Sequence, residues 1–355
     1  MDGIVQTLAS QFKKALMSES VQSSPSFAPP RPATIRRHVA APTVREWLRH
    51  SALLLLTFLT TTFAWIVISA QDVDVHEPAA SGLGYLFYLQ EYYRRTVAAF
   101  LSLAIADPGL LKSGLTFSTA LLTILTAHEM GHYLACRYYR VKATLPFFIP
   151  APPLFIPGTF GAFIKMQSPI PSRRALFDIG LAGPLAGFAA LLPIALGGLL
   201  TIKTAPAHSG PGVIIFNDPL LFQLLAKLTG AQLTNALLNP FYLAAWVGLL
   251  VTSLNLMPVG QLDGGHGTFA VFGARAHKII GRVAFAAVAL ISVLGFVWHG
   301  SPSGFLYTVL LAVMLRVRHP APELMEPLGR GRTLVALITL LVFALSFVPF
   351  PLTIT

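Results

Sequence analysis

Charge is what this sequence is shortest of. Only 11% of its 355 residues are Asp, Glu, Lys or Arg, against about 25% in an ordinary soluble domain. A water-soluble globule of this size cannot clothe its surface with so few charges, so that class is excluded. Cysteine is all but missing: Cys136 stands alone. This removes an intrachain disulfide framework and any cysteine-rich zinc site. Long disorder is excluded away from the ends, because it demands low hydrophobicity and high charge. The chain is instead 54% hydrophobic, with 28 glycines besides.

Crossing about 30 Å of hydrocarbon takes about 20 apolar residues in a helix. Six stretches qualify: 51–70, 114–138, 176–202, 241–259, 279–298 and 334–350. A seventh, 304–315, is shorter and needs flanking residues or tilt. The stretch 83–111 is broken by Glu91, Arg94, Arg95 and Asp107 and reads as interfacial or extramembrane helix, since four charges facing lipid are costly.

The net charge of +11 resembles a nucleic-acid signature until its distribution is followed. With the amino terminus cytoplasmic, the inside segments hold 20 of the 25 basic residues. Only Arg94, Arg95, Lys112, Lys203 and Lys227 fall outside. The excess then sets orientation and faces anionic headgroups. A nucleic-acid partner is not required. Residues 1–50 read as a basic, disordered cytoplasmic tail, and 51–355 as one transmembrane domain. No cleaved signal peptide is expected, because the first apolar stretch starts late and is full-length.

Within the second span stand Ala127-His128-Glu129-Met130-Gly131-His132. Histidines at i and i+4 share a helix face, so both imidazoles reach one metal ion. A glutamate beside them can take a proton from metal-held water. With ten His and seven Glu in the chain, HExxH arises by chance on the order of 0.5% of the time. A lone intramembrane histidine is more often a polar contact between helices. Three ionisable groups within five residues, each costing roughly 2.5 kcal/mol or more against lipid, call for a shared compensation, and a metal supplies it.

Zinc with two histidines needs a third protein ligand, leaving the fourth position to water. Asp263, in Asn255-Leu-Met-Pro-Val-Gly-Gln-Leu-Asp-Gly-Gly-His266, falls at the inside end of span 241–259, where the second span also ends. His266 and Asp178 compete with it on residue chemistry alone. Pro258 frees backbone carbonyls that a membrane tolerates only where they line a polar cavity or are repaired. Gly131 permits close approach of a neighbouring helix. The proline-rich run 147–157 reads as a rigid extended approach to the glycine-bearing segment 157–163. That segment suits an extended strand at the membrane edge, able to receive a substrate by strand addition.

His128-Glu129-x-x-His132 together with Asn255-x-x-Pro258-x-x-x-Leu262-Asp263-Gly264 strongly resembles the site-2 proteases, zinc metalloproteases that cut within membranes. Gly158-Thr-Phe-Gly161-Ala-Phe163 resembles their membrane-associated β-hairpin, and Ala182-Gly-Pro-Leu-Ala-Gly187 their third-span motif. The resemblance covers about 114–278 and includes no sequence like the PDZ module of some members. It implies one Zn²⁺ held by His128, His132 and Asp263, with Glu129 as acid/base and Asn255 on the scissile peptide. Gly158, Phe160 and Gly161 are the hairpin residues expected to touch substrate. The fold expected is an all-α polytopic membrane protein of six to seven spans, with a short hairpin after the second.

The function expected is peptide hydrolysis within the transmembrane segment of a single-span membrane protein, in a bacterial cytoplasmic membrane ahead of a chloroplast one. By resemblance such substrates include anti-sigma factors and membrane-tethered transcription regulators. The metal is expected roughly 8–18 Å inside the cytoplasmic face, from 1.5 Å per helical residue. Two other classes compete. A silent scaffold or metal transporter would lack Glu129 or a ligand, or would need further polar sites along a path. A prenylated-peptide protease would use a glutamate third ligand, yet Glu323 and Glu326 lack the helical context.

Overall fold

The computed structural model describes residues 41–70, 85–204, 214–317 and 322–354. Most of the expected tail lies outside them. Its last residues do not: helix α1 (Val44–Ser69) begins inside the segment read as tail. The cause is a capping box, in which Glu46 N–H donates to Thr43 Oγ1 at 3.3 Å and Thr43 N–H donates to Glu46 Oε2 at 2.7 Å. Thr43-x-x-Glu46 was therefore the overlooked start signal.

Helix α2 (Tyr85–Ala106) covers most of the charged stretch, with Glu91 paired to both Arg94 and Arg95. Asp107 then ends it and caps α3 (Pro108–Tyr138) through the Gly109 and Leu110 amides, with Pro108 in the first turn where its missing N–H costs nothing. After α3 comes an antiparallel hairpin, β1 (Phe147–Pro150) and β2 (Thr159–Phe163), with Phe147 opposite Phe163 and Phe148 opposite Ala162. The run 147–157 is thus not a uniform extended rod. Its first four residues pair as strand, and the rest turns back.

Helix α4 (Arg173–Leu200) is capped by Ser172 and contains Pro184 and Pro193. Two small outer sheets follow, β3 (Lys203–Thr204) with β5 (Ala236–Leu237), and β4 (Ile214–Phe216) with β6 (Leu352–Ile354). Helix α5 (Leu220–Thr229) follows β4 and α6 (Pro240–Asn255) follows β5. Helix α7 (Asp263–His299) is interrupted at Gly273, whose φ of 78° and ψ of 176° are non-helical. Helices α8 (Ser303–Arg316) and α9 (Arg330–Ser346) complete the bundle.

The fold is that of an all-α polytopic membrane protein with short strands. Among the described residues four helices, α1, α3, α4 and α7, are long and apolar enough to cross a bilayer. Helix α6, with 16 residues, reaches only about 24 Å at 1.5 Å per residue. It ends at Asn255, two residues before Met257, which Pro258 drives out of the helical region, with Leu256 as its cap. Along α3 the packing divides. Phe117, Leu121 and Leu125 join an apolar core with Leu191 of α4 and Leu249 of α6. Cys136, nearer the α3 carboxyl end, joins a second core with Phe177 and Phe269. The polar residues of α3 sit at the junction of the two.

Candidate metal centre

His128, Glu129 and His132 are all buried, at 4%, 6% and 7% exposure. Helix α4 makes room for them with its smallest residues. A Cβ at Gly183 would overlap the His132 imidazole, and one at Gly187 would lie 3.0 Å from His128 Cβ. The glycines of the third-span motif are thus slots for two imidazole rings. The Ile179 carbonyl of the same helix accepts from His132 Nδ1 at 2.7 Å. A carbonyl cannot donate, so Nδ1 carries the proton and Nε2 is turned toward the centre.

Asp263 arrives by a compressed turn. Residues 256–262 reverse the chain between α6 and α7, and a Cβ at Gly264 would overlap the Leu256 carbonyl. This tightness brings the last residue of α6, Asn255, and the first of α7, Asp263, to one place. Asp263 Oδ2 lies 3.2 Å from His128 Nε2 and 3.3 Å from His132 Nε2, and the two Nε2 atoms are 3.2 Å apart. Three ligands about 2.0–2.1 Å from one ion at tetrahedral angles are about 3.3 Å apart. The near-equilateral triangle fits zinc, and these side chains could hold a metal ion together.

Around the triangle is a cavity of about 240 Å³. Glu129 borders it, its carboxylate 4.0 Å from His128 Nε2. Asn255 borders it too, with Nδ2 3.3 Å from the same nitrogen. His266 lines the wall one turn beyond Asp263 but is not among the three clustered ligand groups. Asp178 is elsewhere: Arg332 holds it at 2.5 Å, and Tyr139 donates to it.

Of the hairpin residues, Gly158, Phe160 and Gly161 do not line the cavity. Gly158 packs against the backbone of Thr60 and Thr61 in α1, and the Phe160 ring lies 4.5 Å from that of Phe155. The wall is made by the next stretch, Ala162, Phe163, Ile164 and Met166. Thr144 N–H donates to the Lys165 carbonyl and Gln167 N–H to the Lys142 carbonyl. Lys165 therefore faces the stretch 142–144 that leads into β1, Met166, opposite Ala143, turns its backbone groups to the other edge, and the Ile164 amide reaches the Glu129 carboxylate. The signal for this in the sequence was the apolar–polar alternation Ile164-Lys165-Met166-Gln167 after the glycines.

Residues 116–298, from within α3 through nearly all of α7, match Peptidase family M50. The chain belongs to that family. This is the site-2 protease family expected from the motifs, and the matched span contains the whole triangle, Glu129 and Asn255. Among curated relatives, the probable zinc metalloprotease EGY2, chloroplastic, of Arabidopsis thaliana is 31% identical over 301 residues, 81% of this chain and 52% of its own. The probable zinc metalloprotease EGY1, chloroplastic, of Oryza sativa is 30% identical over 247 residues, 67% of this chain and 41% of its own. The chain thus spans about half the length of the curated relatives it matches. A site-2 protease from Methanocaldococcus jannaschii superposes over 65% of this chain and 88% of that one, at 14% identity and a TM-score of 0.35. A superposition that loose carries no argument. The relatives' names are chloroplastic, and the ordering that put a bacterial membrane first draws no support from them.

Proposed function

We propose that this M50 protein is an intramembrane zinc endopeptidase, with one zinc held by His128 Nε2, His132 Nε2 and Asp263, and Glu129 as its acid/base. The observation that carries the reading is the 3.2–3.3 Å triangle with a buried carboxylate beside it. Zinc in such a place supplies a water acidified toward pKa about 7 and a Lewis acid for the scissile carbonyl.

Glu129 takes the proton of the attacking water and delivers it to the leaving amine. The Asn255 amide donates to the carbonyl oxygen as negative charge gathers there. Ile179 keeps His132 protonated at Nδ1 and its Nε2 aimed inward. The edge at Met166, next to the Ile164 amide that meets Glu129, pairs with an unwound stretch of substrate. A helix hides its peptide bonds in hydrogen bonds, so substrates with Gly, Pro or Asn in their spans are favoured.

The amino-terminal side is the cytoplasm, or the equivalent compartment of a chloroplast, following the distribution of basic residues. Substrates are single-span proteins whose bulky outer domains have been trimmed, because a large domain obstructs lateral access to the bundle. The fragment is released on the basic side. The test measures zinc content and cleavage of one single-span substrate with and without its folded outer domain, mapping the cut by mass spectrometry. Zinc near one per chain, with a cut near the basic face only in the trimmed substrate, is expected. A metal-free, active enzyme would overturn the zinc reading, and equal cleavage of both substrates the access reading.

A further inference from the structure

Arg332 lies beyond the part of the chain that matches the family, yet it ties α3, which carries two of the ligands, to α4, which packs their imidazoles. Its Nε donates to Asp178 Oδ1 at 2.8 Å and its Nη2 to Oδ2 at 2.5 Å. Nη2 also donates to the Tyr139 hydroxyl at 3.0 Å, and Nη1 to the Leu328 carbonyl at 3.1 Å. Tyr139, whose hydroxyl donates to Asp178, is the carboxyl-terminal cap of α3. Asp178 precedes Ile179, whose carbonyl receives His132 Nδ1. A two-pronged arginine–carboxylate contact fixes direction as well as distance.

The segment leading to Arg332 runs across the start of α4. Arg173 N–H donates to the Leu324 carbonyl at 2.8 Å, Glu323 N–H to the Ile170 carbonyl at 3.1 Å, and Arg174 Nε to the Pro327 carbonyl at 2.8 Å. It is a strap, and its far end is the knot of Arg332, Asp178 and Tyr139. One residue of slippage between α3 and α4 is about 1.5 Å. A shift of that size lengthens and misdirects the bond from His132 Nδ1 to the Ile179 carbonyl.

We infer that the Arg332–Asp178–Tyr139 knot positions the His132 imidazole by fixing the register of α4 against α3, so that the strap sets how tightly metal is held. The inference rests on His128, His132 and Asp263 being the ligands. Arg332 touches neither metal nor substrate in this role. It acts through Asp178 and the neighbouring Ile179 carbonyl.

The experiment uses the full chain in detergent and measures zinc affinity by competition with a chromophoric chelator. It adds the ligand-field spectrum of the Co²⁺-loaded protein, which a purely supporting role would leave unchanged. Arg332→Gln and Asp178→Asn should each weaken zinc binding about tenfold, the low end for groups beyond the ligands, and change the cobalt spectrum. The double variant should be no weaker than the worse single one, because both remove the same contact. Arg332→Lys should behave like Arg332→Gln, since lysine keeps the charge and loses the fork. If Arg332→Gln fails to fold, Tyr139→Phe, which removes one hydroxyl and leaves the fork, should shift both readings in the same direction. Zinc affinity within twofold of the parent and an unchanged cobalt spectrum, with only the melting temperature lowered, would overturn the proposal. Full zinc retention by His132→Ala would overturn the ligand reading instead.

Discussion

Gly183→Ala tests the packing account of the centre with one methyl group. The added Cβ would overlap the His132 ring, and the ring cannot retreat freely because Ile179 holds its other nitrogen at 2.7 Å. Forcing an extra methyl into a filled interior costs about 1–3 kcal/mol. If that strain falls on the placement of His132, zinc binding weakens roughly 5- to 150-fold, at 1.4 kcal/mol per decade. The control lies in the same helix: a Cβ at Gly197 meets nothing within 4 Å. Gly197→Ala should therefore leave zinc unchanged and stabilise α4 by up to about 1 kcal/mol through helix propensity. Chelator competition gives the affinities, and thermal unfolding in detergent gives the stabilities. Gly183→Ala with parental zinc affinity would refute the idea that α4 glycines are slots for the imidazoles. Equal losses in both variants would show that α4 tolerates no added methyl, whatever its neighbours.

Glu129→Gln should keep zinc and fold but lower turnover by at least 10²–10⁴-fold, since it deletes the proton carrier and leaves the triangle; retained turnover in purified protein would remove Glu129 from that role. Asp263→Ala should lower zinc occupancy strongly and His266→Ala should not, as read by metal analysis; the reverse pattern would reassign the third ligand. Asp218, outside the membrane-spanning segments, has its carboxyl pushed above the ordinary range by burial, partly offset by the Tyr242 hydroxyl that donates to it. A raised folded-state pKa gives stability at low pH that is lost as pH rises through it. The melting temperature of the parent relative to Asp218→Asn should accordingly fall from pH 4 to pH 8, and a flat difference would contradict the burial account.

The chemistry was more legible in the sequence than the walls around it. His128, Glu129 and His132 announce themselves because i and i+4 on a helix need no tertiary knowledge to be brought together. Asp263 could be offered only alongside His266 and Asp178. What separates them spatially is a turn compressed by glycines and an arginine far along the chain, and neither has a local signature. The hairpin was legible as a kind of element, yet Gly158 serves contact with α1, and the stretch that meets the site begins later, with the Ile164 amide on Glu129 and Met166 at the outward edge. Glycines mark where a backbone bends or is approached closely, and the side that is approached belongs to the tertiary fold. Helix lengths diverged for a simpler reason. A run such as 241–259 is apolar over most of its length, but Pro258 ends the helix early, so hydropathy overstates its reach.

The break at Gly273 divides α7 into unequal arms, 263–272 and 274–299. The short arm holds Asp263 and is wedged against α4 through His266 and Gly180. The long arm carries Val283, Leu290, Val293 and Val297 on an exposed apolar face suited to lipid. A continuous 37-residue rod would act as a lever: bilayer thinning that tilts its long end would swing the carboxylate at the other. A positive-φ glycine at the joint breaks the rod and so transmits no such torque. The long arm can follow changes in membrane thickness while the short arm keeps Asp263 in register with the two histidines.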